Sequence, residues 1–165
     1  MNDSEQNRIF VLDTNILIEM NRWIPLGLCP EFWQLLGQAL HDKKWVLLDI
    51  VVKEVGFPQT LVDWCKKQKD AGLVTEIEDS HRQRGVEING LYKMIDEASG
   101  KSESDTYLIA YAEISGMVVL SREGPKKPAE TLFKVPDVCG KLNIPCSREP
   151  GEFYRKIGFT SAIYR

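Results

Sequence analysis

Residues 8–20 read RIFVLDTNILIEM, and this stretch decides the fold. Its segment 9–12 is a continuous apolar run rich in β-branched and aromatic side chains, which is typical of a strand buried on both faces. The run ends abruptly at Asp13, and apolar residues resume at Ile16. A carboxylate in this position lies at the carboxyl end of the strand, which is the edge where open α/β sheets bind ligands. The alternative is that Asp13 only caps the helix that follows.

Length and composition describe one ordinary globular domain. The chain has 165 residues, of which 43% are apolar and 27% are charged, and its net charge is -3. A chain of this length buries a proper core, and we expect one domain over residues 8–160 with a polar tail at 1–7. The net charge gives no whole-molecule sign of nucleic-acid binding, but it leaves room for a local basic strip.

Several classes of protein are disfavoured by what the sequence lacks. No run approaches the roughly 20 apolar residues of a membrane span. The amino terminus also lacks the apolar segment of a signal peptide, so we expect a cytoplasmic protein without membrane contact. The four cysteines form no Cys-x-x-Cys pair, and the two histidines are His41 and His81. These spacings argue against a zinc site, and a reducing compartment argues against disulfides.

Apolar runs alternate with amphipathic segments along the chain. We predict strands at 9–12, 45–48, 73–77, 117–120 and 143–146, and helices at 15–21, 31–41, 49–55, 60–71, 91–98, 105–115, 136–142 and 152–157. This alternation predicts the α/β class, with a four- to five-stranded parallel sheet flanked by helices on both faces. The crossovers should be right-handed, and the first and fourth strands should be neighbours at the switch point.

Four acids stand at comparable boundaries of these elements. Asp13 ends the first strand, Glu54 lies on the helix after the second strand, Asp105 begins the helix before the fourth strand, and Glu123 lies just past it. Carboxylates that converge raise each other's pKa, which is costly unless a cation occupies the cluster. Oxygen ligands of this kind suit Mg²⁺ or Mn²⁺, and such a metal activates water and neutralises charge on a phosphodiester.

The other three acids also have structural interpretations. In this alternative, Asp105 only favours a helix amino terminus through the helix dipole. Glu54 is then a solvated helix residue, and Glu123 is an ordinary loop charge. Two further acids, Asp49 and Asp137, fit the role of a helix cap better than that of a metal ligand.

The segments around the four acids resemble, in order, the acidic motifs of PIN-domain nucleases. Residues 11–18 (VLDTNILI) are similar to the opening motif, 51–55 (VVKEV) to the second, 104–110 (SDTYLIA) to the third, and 118–123 (VVLSRE) to the strand that carries the fourth. The last segment departs from the family pattern of Thr-x-Asp. It has Ser in place of the threonine, and its acid, Glu123, is one methylene longer than the usual aspartate.

The resemblance covers the chain from about residue 10 to 160. Residues 134–139 (KVPDVC) and 142–146 (LNIPC) are similar to a little-characterised PIN subfamily catalogued as a domain of unknown function. The resemblance implies Mg²⁺- or Mn²⁺-dependent hydrolysis of RNA. It also implies kinship with the toxins of bacterial toxin–antitoxin pairs, which often form homodimers and are held inactive by an antitoxin protein.

The resemblance further assigns roles to single residues. Asp13 and Asp105 are the principal metal ligands, and Glu54 and Glu123 complete the acidic ring directly or through water. The neutral residues that orient a ligand or a phosphate are Asn15 and Ser121. RNA must also be held through its phosphates, and the candidate cations, each otherwise a solvated surface charge, are Arg122, Lys126, Lys127, Arg82 and Arg84.

Other functions stay open at the level of sequence. Asp13 is also placed as the nucleophile of a haloacid-dehalogenase-like phosphatase, although Asn15 stands where those enzymes have a second aspartate. A catalytically weak PIN-like module that binds RNA or protein is another alternative. The sequence also does not distinguish a toxin from a nuclease that acts on structured DNA or in ribosomal-RNA processing. Helices 31–41 and 60–71 suggest a groove for an antitoxin anchored by Trp33 and Trp64, with core positions as the alternative for both tryptophans.

Overall fold

The sheet follows the alternation of the sequence. In the computed structural model, which describes residues 7–160, five parallel strands lie in the order β3-β2-β1-β4-β5. They are β1 (Phe10–Leu12), β2 (Trp45–Leu48), β3 (Val74–Thr75), β4 (Val118–Leu120) and β5 (Cys146–Ser147). The predicted α/β class is confirmed, and so is the predicted pairing of the first strand with the fourth.

Helices connect and cover these strands. Within residues 7–160 they are α1 (Thr14–Trp23), α2 (Pro30–His41), α3 (Asp49–Glu54), α4 (Gln59–Asp70), α5 (Asp79–Leu91), α6 (Glu103–Ser115), α7 (Val135–Lys141) and α8 (Gly151–Ile157). Every residue of β1 and β4 is buried, and successive strand side chains point to opposite faces, so both faces of the sheet are covered. No helix in this part of the chain is long and apolar enough to cross a bilayer.

The strand order reverses between β1 and β4. From β1 the chain moves outward through β2 to β3, and then it crosses to β4 and β5 on the other side of β1. The register pairs Leu12 with Leu120, so Asp13 and Ser121 follow side by side at the carboxyl edge of the sheet. The backbone amide of Asp13 donates to the Leu120 carbonyl at 2.9 Å, which extends the pairing to this edge. In α/β sheets such a reversal opens a crevice for ligands.

Aromatic side chains form much of the core. The rings of Phe10 and Phe153 meet edge to face at 5.5 Å, and those of Trp33 and Trp64 at 5.2 Å. The two tryptophans are only 2% and 9% exposed, so their interpretation as core residues is confirmed. A groove of about 390 Å³ does lie between α2 and α4, but these tryptophans contribute to it only their small exposed edges.

The predicted helix at 91–98 is wrong. The helix of this region is α5, and the chain is irregular over 92–98. Because α5 is largely polar, its sequence shows no clear apolar stripe. The helix is stabilised by specific contacts instead. The Glu78 amide donates to His81 Nδ1 at 3.0 Å, and Arg84 donates to both carboxylate oxygens of Glu113 on α6 at 2.6 and 3.1 Å.

Smaller differences concern element boundaries. Helix α6 begins at Glu103 after Ser102, whose φ is 73°, so Asp105 is the third residue of the helix rather than the first. Helix α3 begins at Asp49 itself, and Leu48 occupies the cap position. The strands β3 and β5 are only two residues long. Strand β3 lies within the predicted 73–77, whereas β5 begins at the last residue of the predicted 143–146 and includes Ser147, because Asn143 lies in a turn with a φ of 56°.

Gly85 lies where α5 approaches α6 closely. A Cβ at this position would lie 2.6 Å from Cδ1 of Tyr107, closer than packed atoms allow. We therefore expect Gly85→Ala to lower the free energy of unfolding by about 1–3 kcal/mol, since overpacking outweighs the helix preference of alanine. Urea denaturation measures the change. Gly90→Ala is the matched control, because a Cβ there meets nothing within 4 Å. Equal stability of the two variants would contradict the prediction.

Candidate active site

Asp13 is the buried acid at the sheet edge. It is 4% exposed and occupies the N-cap position of α1. Its Oδ1 accepts a hydrogen bond from the Thr14 amide at 2.7 Å, and its Oδ2 accepts one from Ser121 Oγ at 2.8 Å. Burial raises its pKa to about 6 against these two hydrogen bonds, and the charges of Glu123 and Glu54 raise it further. Asp13 therefore caps α1 and also belongs to the group of acids.

Asp105 is half-buried on the first turn of α6. Its pKa rises to about 8, first because of burial and then because of the charges of Asp13, Glu123 and Glu54, while a hydrogen bond with Ser102 opposes the rise. The helix amino terminus favours a negative charge at this position, but the pKa moves in the opposite direction. Burial and repulsion from the other acids therefore dominate at Asp105.

Glu54 and Glu123 are the more accessible members of the cluster. Glu54 ends α3, is exposed, and accepts a hydrogen bond from Ser104 Oγ on α6. Glu123 follows β4; its Oε2 accepts from the Val135 amide at 3.4 Å, and its Oε1 lies 4.0 Å from Lys134 Nζ. Burial raises the pKa of Glu123, and the contacts with residues 134 and 135 oppose the rise. The structure thus brings together the four predicted acids closely enough for their charges to interact.

Asn15 and Ser121 connect α1 to the end of β4. Asn15 Nδ2 donates to Ser121 Oγ at 3.3 Å, and Asn15 Oδ1 accepts from the Arg122 amide at 2.9 Å. Ser121 Oγ also accepts from the Glu123 amide at 3.2 Å, in addition to its bond to Asp13. These contacts hold the Asp13 carboxylate in place, and they also fix the backbone that leads to Glu123. That the two residues also orient a ligand stays a prediction.

The donor set suits a hydrated divalent cation rather than a closed metal cage. Across residues 7–160, no three His, Cys, Asp or Glu side chains are arranged to hold one metal ion. Mg²⁺ does not require such a cage, because it binds proteins through one or two carboxylates and keeps several waters. Thr14 follows Asp13 in the chain. Its Oγ1 is buried and has no hydrogen-bond partner within residues 7–160. A buried oxygen of this kind is normally satisfied by water or a ligand.

Sequence reasoning missed two serines that contact the acids. Ser104 donates to Glu54, and Ser102 makes a hydrogen bond with Asp105. The signal was the run Ser-Glu-Ser-Asp at 102–105, directly before an amphipathic helix. Short hydroxyl side chains at such a boundary bond to neighbouring groups, but the sequence does not show that one of them reaches an acid fifty positions away.

Four of the five predicted RNA-binding cations make intramolecular contacts. Arg82 pairs with Asp79 at 3.4 Å, and Arg122 donates to the Arg148 carbonyl at 3.2 Å. Arg84 holds α5 against α6 through Glu113, so its charge is already paired. Lys126 Nζ donates to the Glu130 carbonyl at 3.0 Å. Lys127 is exposed on the same loop.

Two of these cations, Arg82 and Arg122, line grooves near the acids. Arg82, Lys53 and Lys101 border an open groove of about 550 Å³ that also reaches Glu54. Glu54 and Glu103 line the same groove, and Lys53 and Arg82 each lie within 4 Å of an aspartate on their own helix. Arg122 borders a second groove beside α1.

Comparison with known proteins identifies a family. No curated protein matches the chain. The family model described as Domain of unknown function (DUF4411) matches residues 10–160. This range contains the whole five-stranded sheet and all four acids. The chain therefore belongs to the DUF4411 family.

Proposed function

We propose that this protein is a PIN-like, metal-dependent ribonuclease that hydrolyses the phosphodiester bonds of RNA in the cytoplasm. The observation that supports the proposal is the meeting of four acids at one sheet edge, where the pKa of Asp105 rises to about 8. Such a cluster is costly in the free protein and becomes favourable when a cation neutralises it. The cofactor that fits the oxygen donors is Mg²⁺ or Mn²⁺.

The proposed division of labour follows the burial of the acids. Asp13 and Asp105 would hold the metal, and the more accessible Glu54 and Glu123 would contact its water shell. When bound, the metal supplies an activated water and neutralises charge on the phosphodiester. The 2.8 Å hydrogen bond from Ser121 keeps the Asp13 carboxylate oriented throughout.

The RNA backbone would enter through the groove bordered by Lys53, Arg82 and Lys101. These cations lie next to Glu54, so phosphates held there are brought to the acidic cluster. Phosphate contacts position a nucleic acid without reading its sequence. The groove therefore sets the path of the strand, and the choice of target must come from other contacts.

The test is cleavage of mixed RNA by the purified protein with Mg²⁺, with Mn²⁺ and with EDTA. We expect degradation with either metal and none with EDTA. Asp105→Asn purified in parallel controls for contaminating nucleases. Full activity in EDTA would refute the metal mechanism. RNA retained on a filter without cleavage in any metal would indicate a binding module instead, and phosphate trapped covalently on Asp13 would indicate the phosphatase.

The toxin role is a further proposal that rests on the resemblance to toxin-type PIN nucleases. Expression of the protein alone should arrest growth, and the arrest should require Asp13. Co-expression of the neighbouring open reading frame should relieve the arrest if that frame encodes the antitoxin. Harmless expression of a protein that cleaves RNA in vitro would point to a processing nuclease with a narrow substrate, and sedimentation would test for the homodimer.

Glu123 provides a separate prediction, because it stands where PIN nucleases have aspartate. If its carboxylate helps to hold the metal, Glu123→Gln should raise the Mn²⁺ concentration needed for half-maximal cleavage by at least about 10-fold, as loss of an outer contact to a metal does. Gln keeps an oxygen that accepts from the Val135 amide, so the fold should be retained. Glu130→Gln on the same loop, which removes a pairing with Lys134, is the control. An unshifted titration would leave a site of three acids.

A further inference from the structure

Trp23 is an exposed aromatic residue at the end of α1. It is 75% exposed, whereas Trp33, Trp45 and Trp64 are at most 9% exposed. Its indole Nε1 donates to Glu19 Oε1 at 2.8 Å, one turn earlier on the same helix. The hydrogen bond restrains rotation of the ring while most of its surface stays in contact with solvent. The chain therefore presents a restrained aromatic surface that the core does not use.

This tryptophan borders the groove beside α1, which we call the α1 groove. The groove has a volume of about 250 Å³, and its lining includes Ile16, Glu19, Met20, Trp23, Arg122 and Tyr154. Most of these side chains are apolar or aromatic, and two are charged. Glu19 is bonded to Trp23, and the Arg122 guanidinium donates to the Arg148 carbonyl at 3.2 Å and lies 3.9 Å from Glu149. A flat, mainly apolar group would match this lining, and a negative charge would fit only at the end where Arg122 lies.

The α1 groove is continuous with the acidic cluster. Arg122 lies between Ser121, which bonds to Asp13, and Glu123, and its amide donates to Asn15 at 2.9 Å. Helix α1 also begins directly after Asp13. Because a helix rises about 1.5 Å per residue, Trp23 lies roughly 10 Å along α1 from Ile16. A strand held at the acids would therefore reach Trp23 within a few nucleotides.

We propose that the α1 groove binds one unstacked nucleobase of the RNA substrate against Trp23, while Arg122 contacts a neighbouring phosphate. This inference rests on the proposed ribonuclease function and adds a substrate class to it. An aromatic surface beside a cation is the combination that holds single-stranded nucleic acid. Because bases within a duplex are stacked on each other, they cannot offer a free face to the ring. The α1 groove therefore requires an unpaired base in the strand that it binds.

Fluorescence tests the contact without any cleavage. In EDTA, a single-stranded RNA decamer should quench the tryptophan emission of the wild-type protein, because Trp23 is the exposed tryptophan and the others are buried. The same strand annealed to its complement should quench much less. In Trp23→Phe the quenching should disappear while RNA binding, followed with a dye-labelled strand, is largely kept. Quenching that persists in Trp23→Phe would overturn the proposal.

Kinetics measure the contribution of the stacked base. Trp23→Ala should raise KM for single-stranded RNA by about 5- to 150-fold, the range of base–aromatic stacking. Trp23→Phe should recover most of this loss, because it keeps an aromatic face. Leu91→Ala, an exposed apolar residue at the end of α5 that does not line the groove, should leave KM unchanged.

An abasic scan of the RNA locates the base. One abasic position a few nucleotides from the cut should raise KM of the wild-type enzyme, and it should add nothing in Trp23→Ala. Independent, multiplying effects would overturn the proposal, as would an unchanged KM in Trp23→Ala. A loss of self-association in Trp23→Ala with KM unchanged would mark the groove as a protein interface instead. If the wild-type protein cleaves no RNA the proposed function fails, and the fluorescence result still decides whether the groove binds a base.

Discussion

Asp105→Asn is expected to abolish RNA cleavage and to stabilise the metal-free protein. The substitution removes a carboxyl group whose pKa is raised to about 8 by burial and by three neighbouring acids. Because asparagine is neutral and of similar size, the variant escapes this repulsion and keeps the packing of α6. It also loses the anionic oxygens that would bind the metal. Opposite changes in activity and stability distinguish a functional acid from one that only favours a helix.

The expected effects are large enough to measure independently. Loss of outer contacts to a metal costs about 10- to 100-fold, so loss of a ligand should lower kcat/KM by at least about 100-fold. At pH 8 and without metal, the free energy of unfolding should rise by on the order of 3 kcal/mol, after discounting the shift for the partial exposure of Asp105. Urea denaturation in EDTA and single-turnover cleavage in Mn²⁺ provide the two measurements.

Asp137→Asn is the matched control. Asp137 accepts hydrogen bonds from the backbone amides of Lys126 and Lys134 at 2.9 and 3.0 Å. Its substitution should cost about 1 kcal/mol of stability through weaker hydrogen bonds and leave metal-dependent cleavage in place. If Asp105→Asn behaves like this control, by unfolding earlier and cleaving normally, Asp105 is a structural residue.

The second large effect is a fall in the stability of the metal-free protein as pH rises. The pKa of Asp105 is about 8 in the folded protein against an ordinary 3.8, and that of Asp13 is about 6. Between these values the unfolded chain has released protons that the folded protein still holds, so a higher pH favours unfolding. The stability that these two protonated acids contribute is fully present below about pH 3.8. It is lost as pH rises through about 6 for Asp13 and about 8 for Asp105. The loss should total several kcal/mol.

Metal should reverse this loss. If the proposed divalent cation binds the ionised acids of the folded protein, it would add about 2.7 kcal/mol at 100 times its Kd. We therefore expect Mn²⁺ to raise Tm clearly at pH 8 and little at pH 5, where the acids hold protons. Asp105→Asn should show a flatter pH dependence and a smaller response to Mn²⁺. A Tm of the wild-type protein that is constant from pH 5 to 8 in EDTA would contradict the assignment of a repelling cluster.

Short-range patterns in the sequence were sufficient to predict the sheet and the position of Asp13 at its edge. The apolar run before Asp13 and the similar run before Ser121 marked strands that pair side by side. Their parallel pairing places residues 13 and 121 together, and the crevice at the switch point follows from the strand order. The α/β class and the meeting of Asp13 with the end of β4 therefore required only local apolar periodicity and general rules of sheet topology, whereas Glu54 and Asp105 were joined to them on the resemblance to PIN-domain nucleases.

Contacts between distant residues were beyond that reasoning. Helix α5 was missed because it depends on the pairing of Arg84 with Glu113 and on the close approach at Gly85. The bond between Ser104 and Glu54 joins two helices that the sequence places apart. The predicted helix 15–21 ended before Trp23, so the sequence did not show that this tryptophan lies, exposed, on the last turn of α1.

The two outer strands have a consequence for how this protein associates with others. Both β3 and β5 are two residues long, and they form the two edges of the sheet. Edges this short leave few unpaired backbone groups for a foreign strand, which is a common protection against templated aggregation. Added β-strands therefore find little support here. A copy or partner that docks on this protein would find more to contact in the side chains of the helices and loops than in the backbone of the sheet edges.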